Sequence, residues 1–236
     1  MRKFLIILCL TAFLSLPAYA ASPDSAQPKV SDIQAKADQG DAKAQVSLGD
    51  IYFYGRGVKQ DPAEAAKWYL KAGEKGDAAA QRQIGTLYQK GAGVKQDEEE
   101  ALKWYRQAAD QGDAVAQRQI GIFYQNGAGV KQDEEEALKW YRKAAAQGEA
   151  VAKDMLAARE GNARAQYALC KMYEFGDGMK IDKGEAYFWI SLAATKDPVF
   201  AMLRNTIASA LSEEQAAAVK KRVAAWKPKS GLSAKP

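Results

Sequence analysis

Small and apolar residues recur along most of this chain at helical spacing, and the pattern itself repeats. Between Gly112 and Gln147, Ala116, Ile120 and Tyr124 stand four apart with Phe123 beside them, which marks one face of a helix. Ala137, Trp140, Tyr141 and Ala144 mark the buried stripe of a second helix. Asp113 and Asp133 stand just ahead of the two stripes, where a side-chain oxygen can accept from unpaired amides. Glu134, Glu135 and Glu136 fill the first turn of the second helix, where the helix dipole favours negative charge. Asn126-Gly127 ends the first helix, and the loop Gly127-Ala128-Gly129-Val130 places glycine where the backbone turns to positive φ. Gln147-Gly148 ends the second. The predicted unit is helix, glycine loop, helix, glycine turn.

The preceding segment, Gly76 to Gln111, repeats that unit with six differences over 36 residues, and looser copies span Gly40 to Lys75 and Gly161 to Lys196. A period of this length predicts an all-α array of stacked helical hairpins. One tyrosine recurs as Tyr52, Tyr88, Tyr124 and Tyr173, and one tryptophan as Trp68, Trp104, Trp140 and Trp189. Their spacing predicts core positions rather than a ligand-stacking platform. A small residue recurs as Gly49, Gly85, Gly121 and Cys170, suited to close helix approach.

The array spans 40–197, with units 40–75, 76–111, 112–147 and 161–196 and a truncated unit at 148–160. Within that truncated unit, Glu149 to Arg159 reads as a first helix whose loop and partner helix are missing, and Gly161-Asn162 as a stop and a fresh cap. The break makes this a candidate kink or contact surface. Ahead of the array, 21–39 forms a leader and a half-repeat helix, with Ser31 and Gln34 in a capping-box pattern. After it, 198–236 supplies a capping helix pair and tail. Met202, Leu203, Ile207 and Leu211 are available for burial on the first capping helix. Ser212 and Gln215 form a capping box for the second, whose stripe is Ala216, Val219, Val223 and Trp226 and whose outer surface carries Lys220, Lys221 and Arg222. Pro228 stops that helix, and residues 229–236 are expected to be disordered.

Residues 1–20 read as a secretory signal peptide: a basic start at Arg2 and Lys3, an apolar run from Phe4 to Leu16, and Ala18-Tyr19-Ala20 as a cleavage site. Periplasmic or secreted residence follows as an expectation, with no membrane span left after cleavage. The chain carries 34 basic and 29 acidic side chains, and loss of Arg2 and Lys3 leaves a net charge of +3. That balance is too mild and too mixed to imply a nucleic acid. Histidine is absent, which removes the usual general base and metal ligand. One cysteine, Cys170, remains in the mature chain and is expected to be buried and inert. The glycine loops lack the Lys-Ser/Thr of a phosphate-binding loop. No catalytic set, metal site or cofactor site is assigned.

The pattern Ala80-Gln81, Ile84-Gly85, Tyr88, Gly91, Gly93-Val94, Asp97, Glu100-Ala101, Trp104-Tyr105, Ala108 resembles the Sel-one-like repeat family, a branch of the tetratricopeptide-like α/α solenoids. The resemblance covers Gly40 to Lys196. It implies a right-handed superhelical α/α solenoid with first helices lining the concave side, and an adaptor or scaffold role. Some secreted members carry a disulfide in every repeat; this chain lacks those cysteines, so their activities do not transfer.

The side of the first helices opposite the buried stripe carries Ala79, Arg82, Gln83, Thr86, Gln89 and Lys90 in one copy, and Val115, Arg118, Gln119, Ile122, Gln125 and Asn126 in the next. Three of the six differences fall here: Ala79/Val115, Thr86/Ile122 and Lys90/Asn126. Arg82, Thr86, Lys90, Val115, Arg118, Ile122 and Asn126 are therefore the candidate protein-binding residues. The competing reading packs Val115 and Ile122 onto the neighbouring repeat. The expected function is an interaction scaffold of the bacterial cell envelope, monomeric, with an unidentified protein partner. An envelope enzyme acting on peptidoglycan or β-lactams, or an exported factor acting on a host protein, are the alternatives.

Overall fold

A computed structural model of the chain describes residues 29–176 and 179–232. The expected signal peptide and most of the leader lie outside the described residues. Twelve α-helices and no strand occur among the described residues. The N-terminal helix is α1 (Val30–Asp38). Three hairpins follow: α2 (Ala42–Tyr54) with α3 (Pro62–Glu74), α4 (Ala78–Lys90) with α5 (Glu98–Asp110), and α6 (Ala114–Asn126) with α7 (Glu134–Ala146). A single helix, α8 (Ala150–Arg159), precedes a fourth hairpin of α9 (Ala163–Phe175) and α10 (Lys183–Lys196). A 3-10 turn, Pro198–Phe200, leads to α11 (Ala201–Ala208) and α12 (Glu213–Ala225). Each helix from α1 to α10 packs on the next, and α11 and α12 both close over α10, giving an α/α solenoid with a C-terminal cap.

The local signals act as expected in the array. Asp41, Asp77 and Asp113 cap the first helices by accepting from the amide three residues on, at 2.8 Å each. Asp61, Asp97, Asp133 and Asp182 cap the second helices. Such a cap contributes about 1 kcal/mol. Gly55, Gly91, Gly127 and Gly176 end the first helices in the left-handed region, φ 66 to 76°. The second loop glycines Gly57, Gly93 and Gly129 also turn to positive φ, 59 to 76°, and two of them serve a further purpose. A Cβ on Gly93 would lie 2.3 Å from the Pro62 carbonyl, and one on Gly129 2.7 Å from that of Glu98. The loops of the second and third hairpins thus rest on the start of the preceding second helix, and only glycine permits that approach.

Some expectations need correction. Helix α1 begins at Val30 with Lys29 as its N-cap and no side-chain cap; Ser31 Oγ instead donates to Asp32, so that capping box does not form. Trp68 and Trp189 are buried, but Trp104 and Trp140 are half-buried. These rings sit on the seams between hairpins: a Cβ on Gly73 of α3 would lie 3.4 Å from Trp104 on α5. The Lys143 ammonium covers the Trp140 ring at 4.0 Å. Tyr69, Tyr105 and Tyr141, each following a tryptophan, are the largest fully buried side chains, while Tyr52, Tyr88 and Tyr124 are half-buried. Met202 is 81% exposed, because α11 turns Ile207 inward instead. The capping box at Ser212 and Gln215 forms. Arg222 is exposed, as are Lys220 and Lys221, but its charge is partnered: it pairs with Glu185 at 2.7 Å and lies over Phe188. The tail is pinned through residue 232. Lys229 N donates to Arg159 O at 2.8 Å, Leu232 N donates to Glu160 Oε1 at 2.7 Å, and Leu232 is buried. Residues 233–236 lie outside the described residues.

Candidate interaction groove

The first helices are short on apolar residues along their second sides, and this leaves a groove between the helix pairs. It has a volume of about 1140 Å³ and runs from α4 to α12. Its walls are the C-terminal halves of α4, α6 and α9, the loops behind them, and the starts of α5, α7 and α10. The end of α8 lies on its floor, and α12 with the tail closes one end. The lining is rich in amides: Gln89, Gln96, Gln119, Gln125, Asn126 and Gln132. Amides offer both donors and acceptors, the complement of an extended peptide backbone.

Several of these groups are held in place. Tyr105 Oη donates to Gln89 Oε1 at 2.8 Å, and Thr86 Oγ1 lies 3.1 Å from the same phenol. One repeat on, Tyr141 Oη donates to Gln125 Oε1 and Gln125 Nε2 donates to Tyr173 Oη, both at 2.7 Å. Arg159, from the truncated unit, enters this second network. Its Nε donates to Glu134 at 2.8 Å, Nη1 to Met155 O at 2.8 Å, and Nη2 to Gln125 Oε1. The guanidinium lies between the rings of Tyr141 and Trp189, at 5.3 and 5.6 Å. Burial works against its charge, but the oxygens of Tyr141 and Glu134 outweigh burial and hold its pKa above the ordinary arginine value.

Of the seven candidate residues, the structure brings four to the groove: Thr86, Lys90, Ile122 and Asn126. Ile122 is only 3% exposed and shares a buried cluster with Met155 and Leu156 of α8, so the packing alternative describes it better than direct contact with a partner. Arg82, Val115 and Arg118 are not in the lining. Arg82 Nε donates to Asp113 at 3.0 Å, and Arg118 Nε to Glu149 at 3.3 Å. Asp113 and Glu149 are the N-caps of the next helices, so each arginine staples one repeat to its successor. Arg118 is 7% exposed, which removes it as a partner contact. Val115 is half-buried at the front of α6. Arg159, Lys227, Lys229 and Trp226 belong to the groove and were not among the candidates. They come from the truncated unit and the tail, where no second copy offers a comparison.

Cys170 is fully buried, and burial pushes its thiol up to about 12, as expected of an inert packing residue. Among the described residues, no group of three or more Cys, Asp or Glu side chains is placed to hold a metal ion.

A family model for the Sel1 repeat matches residues 42–77, 78–113, 114–149 and 163–198 and skips the whole of α8. A Sel1 repeat protein from Oxalobacter formigenes is 42% identical, over 54% of this chain and 96% of its own, with a TM-score of 0.50. A Sel1 repeat protein from Klebsiella pneumoniae, 20% identical over 75% of this chain and 98% of its own, has the same fold with a TM-score of 0.52. The protective antigen c5321 of uropathogenic Escherichia coli is 28% identical over 84% of this chain and 56% of its own, with a TM-score of 0.47. Among curated proteins none matches the chain in sequence. Repeats of this kind generally make protein-interaction scaffolds. With four matched units covering more than half of its length, the chain belongs to the Sel1 repeat family.

Proposed function

We propose that this protein is an interaction scaffold of the bacterial cell envelope that holds a segment of a partner protein in the groove. The observation that carries the reading is the groove itself, about 1140 Å³ of amide-rich surface continuous over several hairpins. The difference between near-identical copies supports it. The stapling arginines, Arg82 and Arg118, and the second-helix caps, Asp97 and Asp133, stay the same, whereas the groove position Lys90 becomes Asn126. A partner selects among such positions; packing does not. The basic start, apolar run and Ala18-Tyr19-Ala20 support export.

Two experiments test the reading. Fractionation of cells producing the tagged full chain should place the processed protein in the periplasm. Recovery only from the medium would favour the exported alternative, and unprocessed protein in the cytoplasm would contradict both. Co-purification from the same cells should fall about tenfold when Lys90→Glu and Asn126→Glu are combined, with the melting temperature unchanged. Undiminished co-purification would contradict the groove.

A further inference from the structure

Two departures from the regular array meet at the closed end of the groove. The truncated unit contributes Arg159 and the tail contributes Lys229. Both point at one carboxylate, Glu134, at 2.8 and 4.0 Å. Arg159 is 5% exposed and fixed by Met155 O, Gln125 and two aromatic rings. The Glu134 side chain, by contrast, is 42% exposed. The arrangement is an anion site built on one buried, fixed cation, Arg159, with the half-exposed Lys229 beside it and a half-exposed carboxylate between them.

We propose that an acidic segment of the partner protein binds here, its carboxylate taking the place of Glu134 between Arg159 and Lys229. This rests on the groove being the partner-binding surface. The exchange replaces one carboxylate with another, so the buried guanidinium is never left unpaired, the state that penalises breaking a buried ion pair. Glu134 loses little on leaving, because it is the first residue of α7 and remains beside that helix's positive end. The surrounding charge favours an incoming anion. Lys180 and Lys227 line the same end, opposed by Asp182, which is engaged in capping α10; Arg222 is neutralised by Glu185.

The test pans a random short-peptide phage library on the mature chain, then measures a synthetic copy of the enriched peptide. Enriched sequences should be rich in Asp and Glu. Glu134→Gln, which vacates the site, should bind the synthetic peptide about tenfold more tightly than the parent, and Lys229→Glu about tenfold more weakly. Melting curves confirm the fold; should Glu134→Gln not fold, Glu134→Asp, too short to hold Arg159, replaces it. Equal or weaker binding by the Glu134 variant overturns the proposal, as does a library that yields no binder. Neutral or basic peptides that are lost with Lys90→Glu and Asn126→Glu overturn it too, but leave the groove standing as the binding surface.

Discussion

At the scale of the residue, the array is set by a ring against a bare backbone. A Cβ on Gly49, Gly85 or Gly121 would lie 2.5, 2.8 or 2.4 Å from the ring of Tyr69, Tyr105 or Tyr141. In the fourth hairpin the same two positions hold Cys170 and Ile190, both fully buried: a larger residue on one helix meets a smaller one on the other. Burial raises the phenols of Tyr69, Tyr141 and Tyr173 and pushes that of Tyr105 up to about 12. Unfolded phenols ionise near pH ~10. Groups raised in the folded state contribute stability that is intact below the unfolded pKa and lost as pH climbs through the folded one. The urea midpoint should therefore fall between about pH 10 and 12, and the last tyrosinate absorbance should rise together with loss of helix. Complete tyrosine titration with the helical signal intact would contradict this packing.

At the scale of the element, α8 explains what a period of 36 does not. Its front reads as a first helix, with Glu149 capping as Asp113 does. Its end reads as a second helix: Gly161 takes φ 94° as Gly112 takes 90°, and Gln166 Nε2 donates to Ala158 O as Gln117 Nε2 does to Ala109 O. One ten-residue helix thus bridges a second helix and a first one. Its end also receives the tail. Truncation after Pro228 should remove the Leu232 burial and two hydrogen bonds, lower stability by about 1–2 kcal/mol, and raise amide exchange at the end of α8. Unchanged exchange there would show the tail to be unattached. The caps and the glycines that end the first helices were legible in the sequence because each acts within a few residues. The fates of Arg118 and the tail were not, because their partners stand far off along the chain: Glu149 is 31 positions from Arg118, and Glu160 is 72 from Leu232.

At the scale of the whole molecule, hairpins that cannot bury their own faces stack into one body, and the regular part and the irregular part do different work. Hairpins α4–α5 and α6–α7 give the groove its amide walls, with cap-to-arginine staples setting their spacing. Helix α8, α12 and the tail close one end and bring in the cations. The amide-walled part of the groove, Thr86, Lys90 and Asn126 with their amide neighbours, was visible as polar positions opposite a buried stripe; the closed end required the tertiary path. The most direct test of the account is photo-crosslinking in living cells with a photoreactive residue at Asn126, inside the groove, and at Lys103, exposed on α5 and outside its lining. A discrete adduct from position 126 that is absent at position 103 is the predicted result. Adducts from position 103 alone, or none at 126 while the partner still co-purifies, would contradict it.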